Sequence, residues 1–249
     1  MKVGVFDSGV GGLSVVKSLL DHKLFEELIY FGDTARVPYG VKDKNTITRY
    51  SLEALEFFKN FDIDLLIVAC NSVSAYALDA LKEHSSCDVV GVIEPGIIAT
   101  TNALQNRDSN ILILGTQATI NSNSYVNLLE KNSYLNHSSI ATSLFVPIVE
   151  EGLLSGEVLQ STLHHYFKDV TTPDAVILGC THFPLISEQI SNYFDNSATL
   201  IHSGEAIVEY LEANYSFCKK YDHTECKFFA SENPEALRSR AREWLNIEV

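Results

Sequence analysis

Two cysteines each close an apolar run and are followed at once by small polar residues: Cys70 in LLIVACNSVS, residues 65–74, and Cys180 in VILGCTHFPL, residues 176–185. A thiol is a weak acid whose thiolate is both a base and a nucleophile. His182 stands two residues after Cys180, where an imidazole can draw the thiol proton. By itself this pairing leaves a Cys-His hydrolase, a metal site and an acid/base pair open. Asp7 ends another apolar stretch, VGVFD, where a carboxylate without a partner is costly to bury. It could relay the Cys70 proton, orient a substrate ammonium group, or only hydrogen-bond its own turn.

Small polar residues gather after the same kind of run. Asp7 leads into Ser8-Gly9-Val10-Gly11-Gly12, a turn whose backbone amides could cradle an anion while Ser8 adds a hydroxyl. The third glycine of a dinucleotide fingerprint falls on Ser14, and no GK[ST] signature is present, so a substrate carboxylate fits better than a cofactor phosphate. Asn71 and Ser72 follow Cys70, Thr181 follows Cys180, and Thr116 and Thr119 follow ILILG. Tyr39 and Gly40 lie in the loop DTARVPYG. Donors of these kinds suit a small carboxylated ligand, although Ser72 and Thr119 could equally cap helices. Glu150, in VPIVEEG, is expected to end a strand, where it could orient His182 or equally stay solvated.

The elements that must position these residues follow from the periodicity. Short β-rich runs alternate with helix-spaced segments, the pattern of βα units around parallel sheets. The runs are KVGVF, ELIYF, LLIVA, VVGVI, ILILG, SLFVPI, AVILG and TLIHS. Ile47, Tyr50, Ala54 and Phe58 recur at helical spacing, as do Ile186, Ile190 and Phe194, and a last helix is expected from Pro234 to Leu245. Val3 and Ile111 stand 108 residues apart, while Leu65 and Ala175, Val89 and Thr199, and Cys70 and Cys180 each stand 110 apart. Such a constant offset reads as an internal duplication. The expected fold is α/β: two pseudo-symmetric α/β lobes with mainly parallel sheets. Ligands collect beyond the carboxyl ends of parallel strands, which places the active site in the cleft between the lobes, with one cysteine on each wall.

Composition narrows the partners. A net charge of −14 argues against a nucleic-acid partner, which calls for clustered Lys and Arg. No apolar stretch reaches the roughly 18 residues of a membrane span, and Met1-Lys2 run directly into VGVF and the glycine turn, leaving no signal-peptide core. A cytoplasmic protein with reduced thiols is expected. The five cysteines include no C-x-x-C pair, so neither a disulfide framework nor a zinc ribbon is indicated. Cys87, Cys218 and Cys226 carry no readable chemistry and are expected to serve as small apolar residues.

The motifs FDSGVGG, GDTARVPYG, VACNSVSA, GVIEPG, VPIVEEG and LGCTHFPL, in this order, resemble those of the glutamate racemases from Val3 to Trp244. The resemblance implies interconversion of L- and D-glutamate without pyridoxal phosphate, metal or other cofactor, supplying D-glutamate for peptidoglycan, in a homodimer. It implies that the chain returns to its first lobe, so the lobes are expected at 1–94 plus 207–249 and at 95–206. Cys70 and Cys180 match the family's two catalytic thiols. Asp7 matches the group assisting the first thiol, and His182, with Glu150 behind it, the group assisting the second. Asp7, Ser8, Tyr39, Gly40, Asn71, Ser72, Thr181 and His182 match substrate contacts, with Thr116 and Thr119 as neighbours. Ser72 departs from the family's usual threonine, keeping the hydroxyl and losing a methyl. An aspartate or other amino-acid racemase, and a non-catalytic interaction protein, are the alternatives.

Overall fold

In a computed structural model the chain is described for residues 1–217 and 219–247, so Cys218 lies outside the described residues. The first half runs β1 (Lys2–Asp7), α1 (Leu13–Asp21), β2 (Glu27–Gly32), α2 (Lys44–Phe58), β3 (Leu65–Val68), α3 (Asn71–Tyr76), α4 (Leu78–His84), β4 (Asp88–Gly91) and α5 (Ile93–Ala103). It continues with β5 (Ile111–Gly115), α6 (Gln117–Asn121), α7 (Ser124–Lys131), β6 (His137–Ala141), α8 (Phe145–Glu150), α9 (Glu157–Phe167), β7 (Ala175–Gly179), α10 (Ser187–Tyr193) and β8 (Thr199–His202). Last come α11 (Ser203–Asn214), β9 (Glu225–Ala230) and α12 (Pro234–Leu245).

The strands form two all-parallel sheets, ordered β4-β3-β1-β2-β9 and β6-β5-β7-β8. Read from the other edge, the second sheet runs β8-β7-β5-β6 and repeats the first four strands of its counterpart in order. The expected duplication is therefore present in topology. Central strands β3, β5 and β7 are buried at every residue, which is why they read as unbroken apolar runs. Each sheet carries one apolar cluster on either face, and Trp244 of α12 packs against a cluster of each sheet. Each fully buried Val, Leu, Ile or Phe in these clusters contributes on the order of 1.5–3 kcal/mol.

Two expectations need correction. SLFVPI is not a strand: the run enters α8, where Phe145, Val146, Ile148 and Val149 form one buried helical face, and Glu150 ends that helix. The strand of this unit is HSSIA, β6, and His137 follows Glu27 of β2 by the same 110 residues as the other pairs. It sits at the sheet edge, is only partly buried, and lacks the apolar signature for that reason. β9 escaped notice on the same grounds, with a single buried residue, Phe228, on the edge beyond β2. Its pairing brings the end of the chain back to the first sheet. Among the described residues no helix is long and apolar enough to cross a membrane.

Candidate active site

Cys70 and Cys180 stand just beyond the carboxyl ends of β3 and β7, equivalent strands of the two sheets, and both line one cavity. Each is 6% exposed. The cavity measures about 20 Å³, the space of a single water, so its walls are drawn together. Ser8, Asn71 and Ser72 line it from the first sheet's side, and Thr116, Thr181 and His182 from the second. Tyr39 and Gly40 complete it from the loop after β2, together with Val37 and Pro38 of that loop and Val146 of α8, which sequence reasoning did not single out. Val37 and Pro38 lay within the quoted loop DTARVPYG, but apolar residues carry no chemical signal of their own.

Three expected residues stand behind the cavity wall. Asp7 is fully buried; its Oδ2 accepts from the Gly9 amide at 3.0 Å and its Oδ1 from the Thr181 hydroxyl at 3.3 Å, a bond that crosses between the sheets. The glycine turn thus spends the Gly9 amide on Asp7 instead of offering it to a ligand, while Ser8 alone of the turn reaches the cavity. Thr119 backs Ser72 and Thr116: the three hydroxyls lie 2.9, 3.1 and 3.4 Å apart. The cap of α6 is Thr116, whose oxygen accepts from the Thr119 amide; Ser72 lies inside α3 and caps nothing. Glu150 faces a separate groove, and its Oε1 is 2.6 Å from Nε2 of His182.

The two sulfurs have different surroundings. Cys70 Sγ donates to Ser8 Oγ at 3.5 Å, and burial, reinforced by the charge of Asp7, pushes its thiol up to about 12. Cys180 Sγ lies 3.7 Å from Nδ1 of His182. Burial disfavours a charged imidazole there, but Cys180 on one side and Glu150 on the other outweigh it and push His182 up to about 10. Burial also raises Asp7, against the pull of His182 and its hydrogen-bond donors. The resting arrangement therefore opposes a protonated Cys70 to a sulfur flanked by an imidazolium. Such a pair can remove a proton on one side of a carbon and deliver one on the other.

The walls meet closely because of Gly11. A Cβ there would lie 2.6 Å from Cε1 and Nδ1 of His182 and closer still to the Thr181 hydroxyl. Ser14, one turn on, donates to the Thr181 carbonyl at 2.8 Å and ties the two sides together. The loop carrying Tyr39 is anchored by Asp33, fully buried, whose Oδ2 accepts from the Tyr39 hydroxyl and from Arg36 Nε. Sequence reasoning passed over Asp33 because an acidic residue in a loop is ordinarily solvated. Among the described residues no group of three or more His, Cys, Asp or Glu side chains could hold a metal ion.

Comparison with known proteins identifies the family. The family model for Asp/Glu/Hydantoin racemase matches residues 14–211. The glutamate racemase of a Nitratiruptor species is 61% identical over 245 residues, covering 98% of this chain and 96% of that protein. The crystal structure of glutamate racemase from Campylobacter jejuni is 53% identical, superposes with a TM-score of 0.98 and covers 100% of both chains. That of the Francisella tularensis glutamate racemase in complex with D-glutamate is 34% identical, with a TM-score of 0.86 over 100% of this chain and 94% of that one. With end-to-end relatives more than half identical and two cysteines facing one cleft, the chain belongs to the Asp/Glu/hydantoin racemase family and is an amino-acid racemase.

Proposed function

We propose that the protein interconverts L- and D-glutamate by a two-thiol mechanism, Cys70 and Cys180 acting on opposite faces of Cα. The observation that carries this reading is the pair of cysteines at equivalent strand ends of duplicated sheets, lining a single cavity. The activity named for the relatives, and the D-glutamate held by the Francisella tularensis protein, support glutamate as the substrate.

Cys180 takes the Cα proton of L-glutamate while Cys70, held protonated by its buried site, returns one to the opposite face. The roles exchange for D-glutamate. His182 steadies charge on the Cys180 sulfur, and Glu150 keeps the imidazole charged and oriented. Asp7 takes the corresponding place beside Cys70 and, through Thr181, joins the two sides of the cleft. Negative charge developing on the substrate is met by donors along the wall: Ser8, Asn71 and the hydroxyl cluster of Ser72 and Thr116 backed by Thr119. Tyr39, Gly40 and Thr181 close the remaining sides. The scheme calls on no cofactor. We further place the lobes at 1–94 plus 207–249 and 95–206, the crossings falling within α5 and α11. A cytoplasmic homodimer supplying D-glutamate for peptidoglycan completes the proposal.

The test is incubation of the purified chain, without added cofactor, with L-glutamate or L-aspartate in D₂O, following circular dichroism and Cα deuteration. Glutamate is expected to racemise and its D-isomer to carry deuterium; exchange with aspartate alone would replace glutamate as the substrate. Cys70→Ser and Cys180→Ser are each expected to abolish racemisation in both directions. Substantial racemisation by either variant would overturn the two-thiol scheme.

A further inference from the structure

Among the described residues three buried side-chain polar atoms lack a hydrogen-bond partner, and one of them, Nδ2 of Asn71, belongs to a residue lining the cavity. Its residue is 2% exposed, so an unpaired amide donor there is costly unless a ligand completes it. The other end of the same amide is held: Asn71 Oδ1 accepts from the Tyr125 hydroxyl at 2.7 Å. Tyr125 is also 2% exposed and belongs to α7, on the far side of the cleft, packed with Ile111, Ile113 and Ile177 of the second sheet. Its ring passes beside the residue that precedes Cys180, where a Cβ on Gly179 would stand 3.2 Å from Tyr125 Cε2. One side chain thus lies against the end of the strand that leads to the second sulfur and grips the residue after the first.

We infer that Tyr125 is a positioning residue for substrate carboxylate binding: by donating to the Asn71 oxygen across the cleft, it turns the amide nitrogen into the cavity. The inference rests on the glutamate reading and deepens it. A primary amide can present either its oxygen or its nitrogen to a ligand, and an oxygen would repel a carboxylate. With the Tyr125 hydroxyl as donor to the oxygen, the nitrogen is the end left for the anion. Because the bond joins the two walls, the donor is set in place only when they stand together, as they do here.

Tyr125→Phe keeps the ring and removes only the hydroxyl. Its KM and kcat for both glutamate isomers, the Kd for D-glutamate and the thermal midpoint are to be measured in the wild-type and Asn71→Ala backgrounds. Loss of one oriented hydrogen bond is expected to raise KM and Kd by about 10-fold for both isomers, with kcat falling less than KM rises. In the Asn71→Ala background the same change is expected to leave Kd unaltered, since Tyr125 then has no amide to orient. An unchanged Kd in the first background, or the same fold-loss in both, would overturn the inference. Asn71→Ser serves in place of Asn71→Ala if the alanine chain does not fold. Failure of the glutamate reading is separable: there the unaltered chain itself would not exchange the Cα hydrogen of glutamate in D₂O.

Discussion

The close approach of the two walls at Gly11 can be tested with a single methyl group. In Gly11→Ala the new carbon would lie 2.6 Å from two atoms of the His182 ring, about 1 Å inside the roughly 3.5–4.0 Å at which carbon atoms rest. Neither neighbour retreats freely. His182 is 3% exposed and held by Glu150 at 2.6 Å, and Thr181 is held through its hydroxyl by Asp7 and through its carbonyl by Ser14 at 2.8 Å. The strain is relieved by moving the glycine turn and the Cys180–His182 segment apart by about 1 Å. Overpacking of this kind costs about 1–3 kcal/mol, a fall of a few degrees in Tm for a chain of this size. A 1 Å misplacement of reacting groups costs on the order of 100-fold in rate. Racemisation followed by circular dichroism from either isomer, beside a thermal melt, is therefore expected to show kcat/KM about 100-fold lower in both directions with the fold retained. A folded Gly11→Ala chain racemising within threefold of wild type would refute the claim that this contact sets the working distance between the two cysteine-bearing walls.

Two further outcomes follow from the charges around His182. Glu150→Gln keeps an acceptor for Nε2 and removes the charge that favours the imidazolium, so the alkaline limb of kcat/KM, expected near pH 10 in wild type, should move toward neutrality; a limb that stays in place would deny Glu150 its role. Stability should also fall in alkali. The folded chain binds the His182 proton more tightly than the unfolded one, so this stabilisation is complete below about pH 6.5 and is lost as pH rises to about 10. The raised Cys70 thiol adds a loss of the same sign between about pH 9 and 12, and the unfolding free energy from denaturant melts should drop by on the order of several kcal/mol across the whole window, with His182→Asn flattening its lower part.

Much of the candidate site was legible in the chain alone because its cysteines and their polar neighbours follow strands buried on both faces. Complete burial of β3 and β7 writes itself as apolar runs, and a parallel strand must deliver whatever follows it to the ligand-binding edge of the sheet. The constant spacing of those runs also disclosed the duplication that pairs Cys70 with Cys180. Edge strands β6 and β9, half-exposed, leave no such trace, and the apolar face of α8 imitates a strand over so few residues that period alone does not separate the two. What only the tertiary structure decided are the bonds between walls: Asp7 to Thr181, Ser72 to Thr116, and Tyr125 to Asn71, whose partners lie 174, 44 and 54 residues apart. Hydrogen bonds between such distant residues leave no local periodicity, because each depends on how two independently patterned sheets come to face each other.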